Sequence, residues 1–279
     1  MPRPTRAALG LALLASLASA QALAGPQEDA RAQNAVRVLT DIQAIPESAI
    51  PDKLFDEARA VIVIPDAMKL GLVVGGRRGH GLLSVKAADG TWSNPAFVTL
   101  TGGSIGLQAG VQSADIVLVF RSDRGLDSIV NGKFTLGADA GVAAGPVGRN
   151  ASAATDGEMK AEIWSWSRAR GLFAGVALDG AVLSIDDAAD ESAYGRDTTP
   201  RMIFESRMPQ PPSSAVVGFR DALEEATATA RARRADDGAP AAATAVPAAA
   251  PVAPVAPPPA TTSPAVAEPL PDTTPPPAH

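Results

Sequence analysis

The stretch Thr101 to Gly110, TGGSIGLQAG, constrains this chain more than any other, because its glycines fall at alternate positions. Read with the two-residue period of a strand, one face carries Gly102, Ser104, Gly106, Gln108 and Gly110. The other face carries Gly103, Ile105, Leu107, Ala109 and Val111, and this aliphatic side is the one expected to be buried. GADAGVAAG (Gly137 to Gly145) repeats the pattern, and GLVVG (Gly71 to Gly75) repeats it weakly. Glycine weakens a strand unless bending or close approach requires it. The pattern therefore predicts a strongly curved sheet, or a smooth face that another layer touches closely.

The flanking sequence fits. From Ala60 onward the apolar period is two, through AVIVIP, GLVVGGRRGHGLLSV, TWSNPAFVTL and ADIVLVF. GLVVGGRRGHGLLSV reads as two strands joined by a turn that carries Arg77, Arg78 and His80. Asp89-Gly90 is a hairpin turn, and Pro95 marks an edge or a bulge. KFTLGADAGVAAG, MKAEIWSWSRA, GLFAGVAL and GAVLSID add further strands. Helices are expected at Glu28–Ile45, at IPDKLFDEAR, at SDRGLDSIVNG with Ser122 or Asp123 as N-cap, at DDAADESAYG, and from Ser213 or Ser214 onward. The fold class is α+β: a curved, glycine-rich, mainly antiparallel sheet or partial barrel of about 8–10 strands, flanked by N- and C-terminal helices.

The ends are not core material. Residues 1–24 have a basic start at Arg3 and Arg6, an apolar run, and small-residue cleavage sites after Ala20 and Ala24. That is the pattern of a secretory signal peptide, and it predicts an exported, periplasmic protein, free or peripheral on a membrane. Residues 238–279 hold 13 prolines, two acids and no lysine or arginine, the composition of an extended disordered tail. Residues 27–235 remain as one domain. There is no cysteine, hence no disulfide framework or lipoprotein attachment. The net charge of −6 argues against a nucleic-acid partner. Beyond the leader no run approaches a membrane span.

Catalytic readings fail on spacing. Gly102-x-Ser104-x-Gly106 spells a nucleophile elbow, but such a triad needs the acid and the histidine after the serine. The two histidines are His80, which precedes Ser104, and His279 at the end of the tail. GLDSIVNGK (Gly125 to Lys133) has the wrong glycine spacing for a phosphate loop, with Phe134 where a magnesium ligand would stand. The acids Asp186 to Glu191 lack the calcium-loop pattern and read as a solvated helix start. No cofactor and no metal are expected.

The basic residues carry two readings. Lys69, Arg77 and Arg78 near one turn, and Arg168 and Arg170 beside Trp164 and Trp166 at another, suit an anionic membrane surface. They equally suit ordinary solubilising charge. The first helix, with Ala32, Ala35, Val36, Leu39 and Ile42 on one stripe and Arg31 and Arg37 off it, either packs on the domain or lies on lipid.

KLFDEARAVIVIPDAMKLGLVVGGRRGHGLLSV, followed in order by GLQAGVQSAD, LGADAGVAAGPVGRN and GLFAGVALDGAVL, resembles the SYLF domain over about Ala30 to Ala230. The resemblance implies a non-enzymatic domain that binds phosphoinositides in eukaryotic members, some of which also bind actin and carry an SH3 domain. Bacterial members are small and exported, which implies an anionic phospholipid or another envelope lipid as ligand here. The preferred expectation is lipid binding without catalysis. The alternative is an envelope scaffold whose Pro/Ala-rich tail takes a protein partner, and a hydrolase using Ser104 stands last.

Overall fold

The computed structural model describes residues 25–44, 49–71, 74–105, 110–146, 161–169, 172–176 and 178–238. The leader and the tail after Gly238 lie outside them, as does Arg170. Six helices and nine strands are described. They run in the order α1 (Pro26–Ala44), α2 (Asp52–Glu57), β1 (Ala60–Gly71), β2 (Val74–Val85), β3 (Ala96–Ile105), β4 (Gly110–Phe120) and α3 (Arg124–Val130). Then follow β5 (Lys133–Thr135), β6 (Val142–Ala144), β7 (Ile163–Ala169), β8 (Leu172–Gly175), β9 (Val182–Ile185), α4 (Asp187–Tyr194), α5 (Pro200–Phe204) and α6 (Ser214–Gly238).

The strands form one curled half-barrel sheet in the order β5-β9-β3-β2-β1-β4-β7-β6, with β8 also paired to β7. Every pairing is antiparallel except β6 with β7. The α+β, mainly antiparallel expectation holds.

Each face of the sheet has its own core. Val61, Val63, Leu82, Phe97, Val117 and Trp166 pack under α1, α2 and α6, with Leu39, Leu54, Phe219 and Leu223 from the helices. Ile62, Ile64, Leu83, Leu100, Leu118 and Phe120 pack on the other side with Ile129, Phe134 and Leu183. Two covered faces explain why the central strands are near-continuous apolar runs.

The helices follow their sequence signals. α6 is capped by Ser213, whose Oγ accepts the Val216 amide at 3.3 Å. α4 is capped by Asp186, whose carboxylate accepts the Ala189 amide. α5 escaped the sequence reading because it is only five residues long, although Thr199 caps it and Pro200 opens it. On α1, Ala32, Ala35, Leu39 and Ile42 are buried as expected, but Val38 is buried too and Val36 only partly.

Two readings of β1 and β2 need correction. The strand of AVIVIP does not stop at Pro65: β1 runs 12 residues, with a register shift between Ile64 and Ala67 against β4. Asp66 sits there at φ +49°. The arginines are not on a turn either, because Arg77, Arg78 and His80 all lie inside β2. Residues 72–73, between β1 and β2, lie outside the described residues. The glycine stretch also splits: β3 ends at Ile105 and β4 begins at Gly110. Val111, assigned above to a buried face, is 64% exposed. GADAGVAAG is likewise not one strand, since Gly137 turns the chain at φ +85° between β5 and β6.

Candidate functional site

The register shift in β1 decides which residues share a face. In β1, Val63 belongs to the helix-side core and pairs with Leu82, whereas after the shift Met68 pairs with Arg78. Leu82, His80 and Arg78 alternate onto one face of β2, so Met68 and Leu70 face the helices. One extra residue thus inverts the parity: without it, Ala67 and Lys69 would face that way.

The bulge is fixed from two sides. The Asp115 carboxylate on β4 accepts the Asp66 amide at 3.0 Å. Behind it, β2 turns Gly79 and Gly81 toward the bulge. A methyl at Gly81 would stand 2.2 Å from the Val63 carbonyl oxygen, and one at Gly79 would stand 2.5 Å from Ile64 Cγ2.

Beyond the bulge, the sheet and α1 enclose a groove of about 540 Å³. Its apolar wall is Pro65, Met68 and Leu70; Gly76 and Gly79 flatten its floor; and Arg31, Asn34, Asp66, Arg77, Arg78 and His80 supply the polar groups. Met68 is 46% and Leu70 50% exposed, and Val111 stands directly across from Leu70 on β4. The three form an apolar ledge at the open end of the sheet. A concave, largely apolar site with a few polar groups is the usual form of a small-ligand or lipid site.

The cations divide sharply in role. Arg31 lies 3.2 Å from Asp186, which also meets His80 Nδ1 at 3.2 Å. Arg37 spans Asp41 at 3.4 Å and Asp115 at 3.6 Å. Both basic residues of α1 are therefore paired with acids, and the helix packs on the domain rather than offering a cationic face. Arg168 donates to Asp41, lies 3.8 Å from Asp115 and stacks over Phe173. Trp166 is fully buried in the helix-side core and Trp164 packs partly against it. Arg168 is thus taken up by Asp41 and Asp115, and the tryptophans by the helix-side core. Arg231 and Arg234 pair with Asp56 on α2 at 2.7 and 2.5 Å. Arg78 is exposed at the groove with no acidic partner among the described residues. Lys69 and Arg77 are in register with each other, one position out of step with Met68 and Arg78, and Arg77 also lines the groove.

The serine reading gains no support. His80 pairs with Thr99, five residues before Ser104, a separation of about 17 Å along the strand. GLDSIVNGK supplies α3 and its end rather than a loop opening a helix. Among the described residues no group of three acids or histidines could hold a metal ion.

One acid in DDAADE is not solvated. Asp190 is fully buried, and one carboxylate oxygen accepts the Phe97 amide at 2.7 Å. The other has no hydrogen-bond partner among the described residues. Burial, reinforced by Asp187 and Asp186, pushes its pKa well above the usual carboxylate range. The folded state holds this proton more tightly than the unfolded one. Its contribution to stability is therefore full below the ordinary carboxylate pKa and declines as pH rises through the raised folded value. Asp190→Asn keeps the acceptor for Phe97 and removes the ionisation. Its melting temperature relative to the unmodified protein should rise steadily between pH 4.5 and 8 in thermal melts; a pH-independent difference would contradict this account.

Residues 101–226 match the family described as Ysc84, Las17-binding protein actin regulator. This is the domain that the sequence motifs resembled under the name SYLF. Among the relatives, an SH3 domain-containing protein of Schizosaccharomyces pombe is 36% identical over 169 residues, 59% of this chain and 39% of its own. Protein YSC84 of Saccharomyces cerevisiae is 32% identical over 171 residues, 60% of this chain and 36% of its own. SH3 domain-containing YSC84-like protein 1 of Homo sapiens is 28% identical over 186 residues, covering 64% and 54%. The chain thus spans between about a third and about half of the length of these relatives.

Proposed function

We propose that this chain is a non-enzymatic binder of anionic lipid, acting at the bacterial envelope after export. The observation that carries the reading is the groove beside α1. An exposed apolar ledge of Met68, Leu70 and Val111 stands at its open end, and Arg78 in its lining has no acidic partner among the described residues. An exposed apolar patch rimmed by polar groups is the usual mark of a membrane or partner surface. In this reading the ledge takes acyl chains and Arg78 takes the headgroup charge. The leader-like segment supports export, and the Ysc84 match supports a binding module rather than an enzyme.

Co-sedimentation of the protein with phosphatidylglycerol vesicles tests this. Met68→Glu with Leu70→Glu should weaken binding at least tenfold, since burying one leucine contributes about 1.5–3 kcal/mol. Arg78→Gln should weaken it less and reduce its salt sensitivity. Absence of binding by the unmodified protein at low salt would sink the reading.

A second reading takes the same ledge as a protein-docking surface, and it is favoured by the Las17-binding description of the relatives' family. In that case vesicles recover neither the unmodified protein nor its variants. The Pro/Ala-rich segment 238–279 is the accompanying candidate for a protein partner.

A further inference from the structure

The first turn of α1 holds an acid that the groove does not use. Glu28 is only 7% exposed, and a carboxylate withdrawn from water needs a counter-charge. Among the described residues it has no cation to pair with: Arg31, one turn on, goes to Asp186 at 3.2 Å. The neighbouring acid, Asp29, accepts the Ser213 hydroxyl instead.

Glu28 faces the start of its own helix. Gly25 is the N-cap residue: its carbonyl oxygen accepts the Glu28 amide at 2.9 Å and the Asp29 amide at 3.3 Å, and Pro26 is the first helical residue. Glu28 is therefore the third helical residue, the position from which a glutamate reaches back to the N-cap nitrogen. A methyl on Gly25 would stand 2.4 Å from Glu28 Oε2 and 2.8 Å from Ser192 Oγ on α4. Covalent geometry then puts that carboxylate oxygen within about 5 Å of the Gly25 nitrogen. In an uncut chain this nitrogen is a neutral amide with one hydrogen. In a chain that begins at Gly25 it is an ammonium with three donors and a full charge. A rotation about the end bonds of Glu28 closes the pair, and Ser192 Oγ offers a second acceptor.

We propose that the leader is removed after Ala24, and that the Gly25 ammonium so formed is held by the Glu28 carboxylate, fastening the first turn of α1 against α4. The proposal rests on the export reading, and it chooses between two cleavage sites that the sequence leaves open. Ala18-x-Ala20 and Ala22-x-Ala24 both meet the small-residue requirement of a leader peptidase. Only the later cut places the new charge at Gly25; the earlier one places it at Gln21, four residues before. The pair forms only on processing. Arg31 and Asn34, on the next turns of α1, line the groove, so the cut firms one wall of it.

The full chain is expressed with its leader in a bacterial host, purified from the envelope fraction and read by intact-mass and N-terminal peptide mass spectrometry. Gly25 should be the first residue. A chain beginning at Gln21 overturns the assignment and leaves export standing; an uncut chain overturns both. The ion pair has its own readouts. Near pH 7 the Gly25 amine should be acylated at least about threefold more slowly in the unmodified protein than in Glu28→Gln, because the carboxylate holds it protonated. Glu28→Gln should also melt about 2–4 °C lower than the unmodified protein. In a background of Ala24→Phe, which removes the small residue and moves the cut to Ala20, Glu28→Gln should change the melting temperature by less than about 1 °C. Equal amine reactivity with and without Glu28, or equal melting losses in the two backgrounds, overturns the pair.

Discussion

Replacing Gly81 with alanine is expected to cost the fold about 3 kcal/mol or more, because the new methyl would overlap backbone. It would stand 2.2 Å from the Val63 carbonyl oxygen and 2.7 Å from Ile64 Cγ1. A carbonyl held in a ladder of hydrogen bonds cannot move aside as a side-chain end can. Relief requires β1 and β2 to separate, or the bulge at Pro65 and Asp66 to shift. For a domain of this size the melting temperature should fall by roughly 6–12 °C in calorimetry. Gly103→Ala is the matched control: it lies in the neighbouring strand with nothing within 4 Å of the added methyl. It should melt within about 2 °C of the unmodified protein, since surface substitutions seldom exceed about 0.5 kcal/mol. Equal losses in the two variants would show that the cost at Gly81 does not come from close approach to Val63 and Ile64.

Removing the Asp115 carboxylate should be nearly as costly. Its side chain is 7% exposed, accepts the Asp66 amide, and lies between Arg37 and Arg168. Asp115→Ala leaves a backbone amide without its acceptor and two arginines that keep Asp41, with Arg37 also reaching Asp66 at 4.0 Å. Breaking a buried ion pair from one side costs about 3–5 kcal/mol. Because both arginines are partly exposed and keep Asp41, about 2–3 kcal/mol is expected by chemical denaturation. Asp115→Asn separates the contributions: it keeps an oxygen for the Asp66 amide and loses only the charge. Hydrogen exchange at Asp66 and Ala67 should accelerate strongly in the alanine variant and little in the asparagine one. Unchanged exchange in Asp115→Ala would mean that the bulge is held by other contacts.

These two residues matter to function through the parity they protect. If the bulge were lost, the face presented to α1 would exchange Met68 and Leu70 for Ala67 and Lys69. The groove would lose its apolar wall, and vesicle binding should therefore fail in any variant that resets β1.

Much of this was legible in the residues. The period-two runs, the helix cap at Ser213 and the turn at Asp89-Gly90 each follow from local chemistry, and each stands in the structure. The mis-ordered His80 and Ser104 argued against a triad from spacing alone, and the strand register separates them further. The candidate site was legible only as a set of cations. Lys69, Arg77 and Arg78 are adjacent on the sheet, but Lys69 and Arg77 are one position out of step with Arg78, and Arg168 is taken up by Asp41 and Asp115. Pro65-Asp66 inside an apolar run was the one available signal of the bulge, and it reads equally well as the end of a strand.

The sequence by itself determined the element types, the need for glycine where strands press together, and the shortage of catalytic groups, because these depend on local periodicity and residue chemistry. The tertiary structure alone decided which side chains share a face. That choice rests on one inserted residue in β1, stabilised by Asp115 from β4 and admitted by Gly79 and Gly81 on β2. Its supports lie between about 13 and 50 residues away along the chain, beyond the reach of any local pattern, and a one-residue offset in a strand reverses every side chain after it.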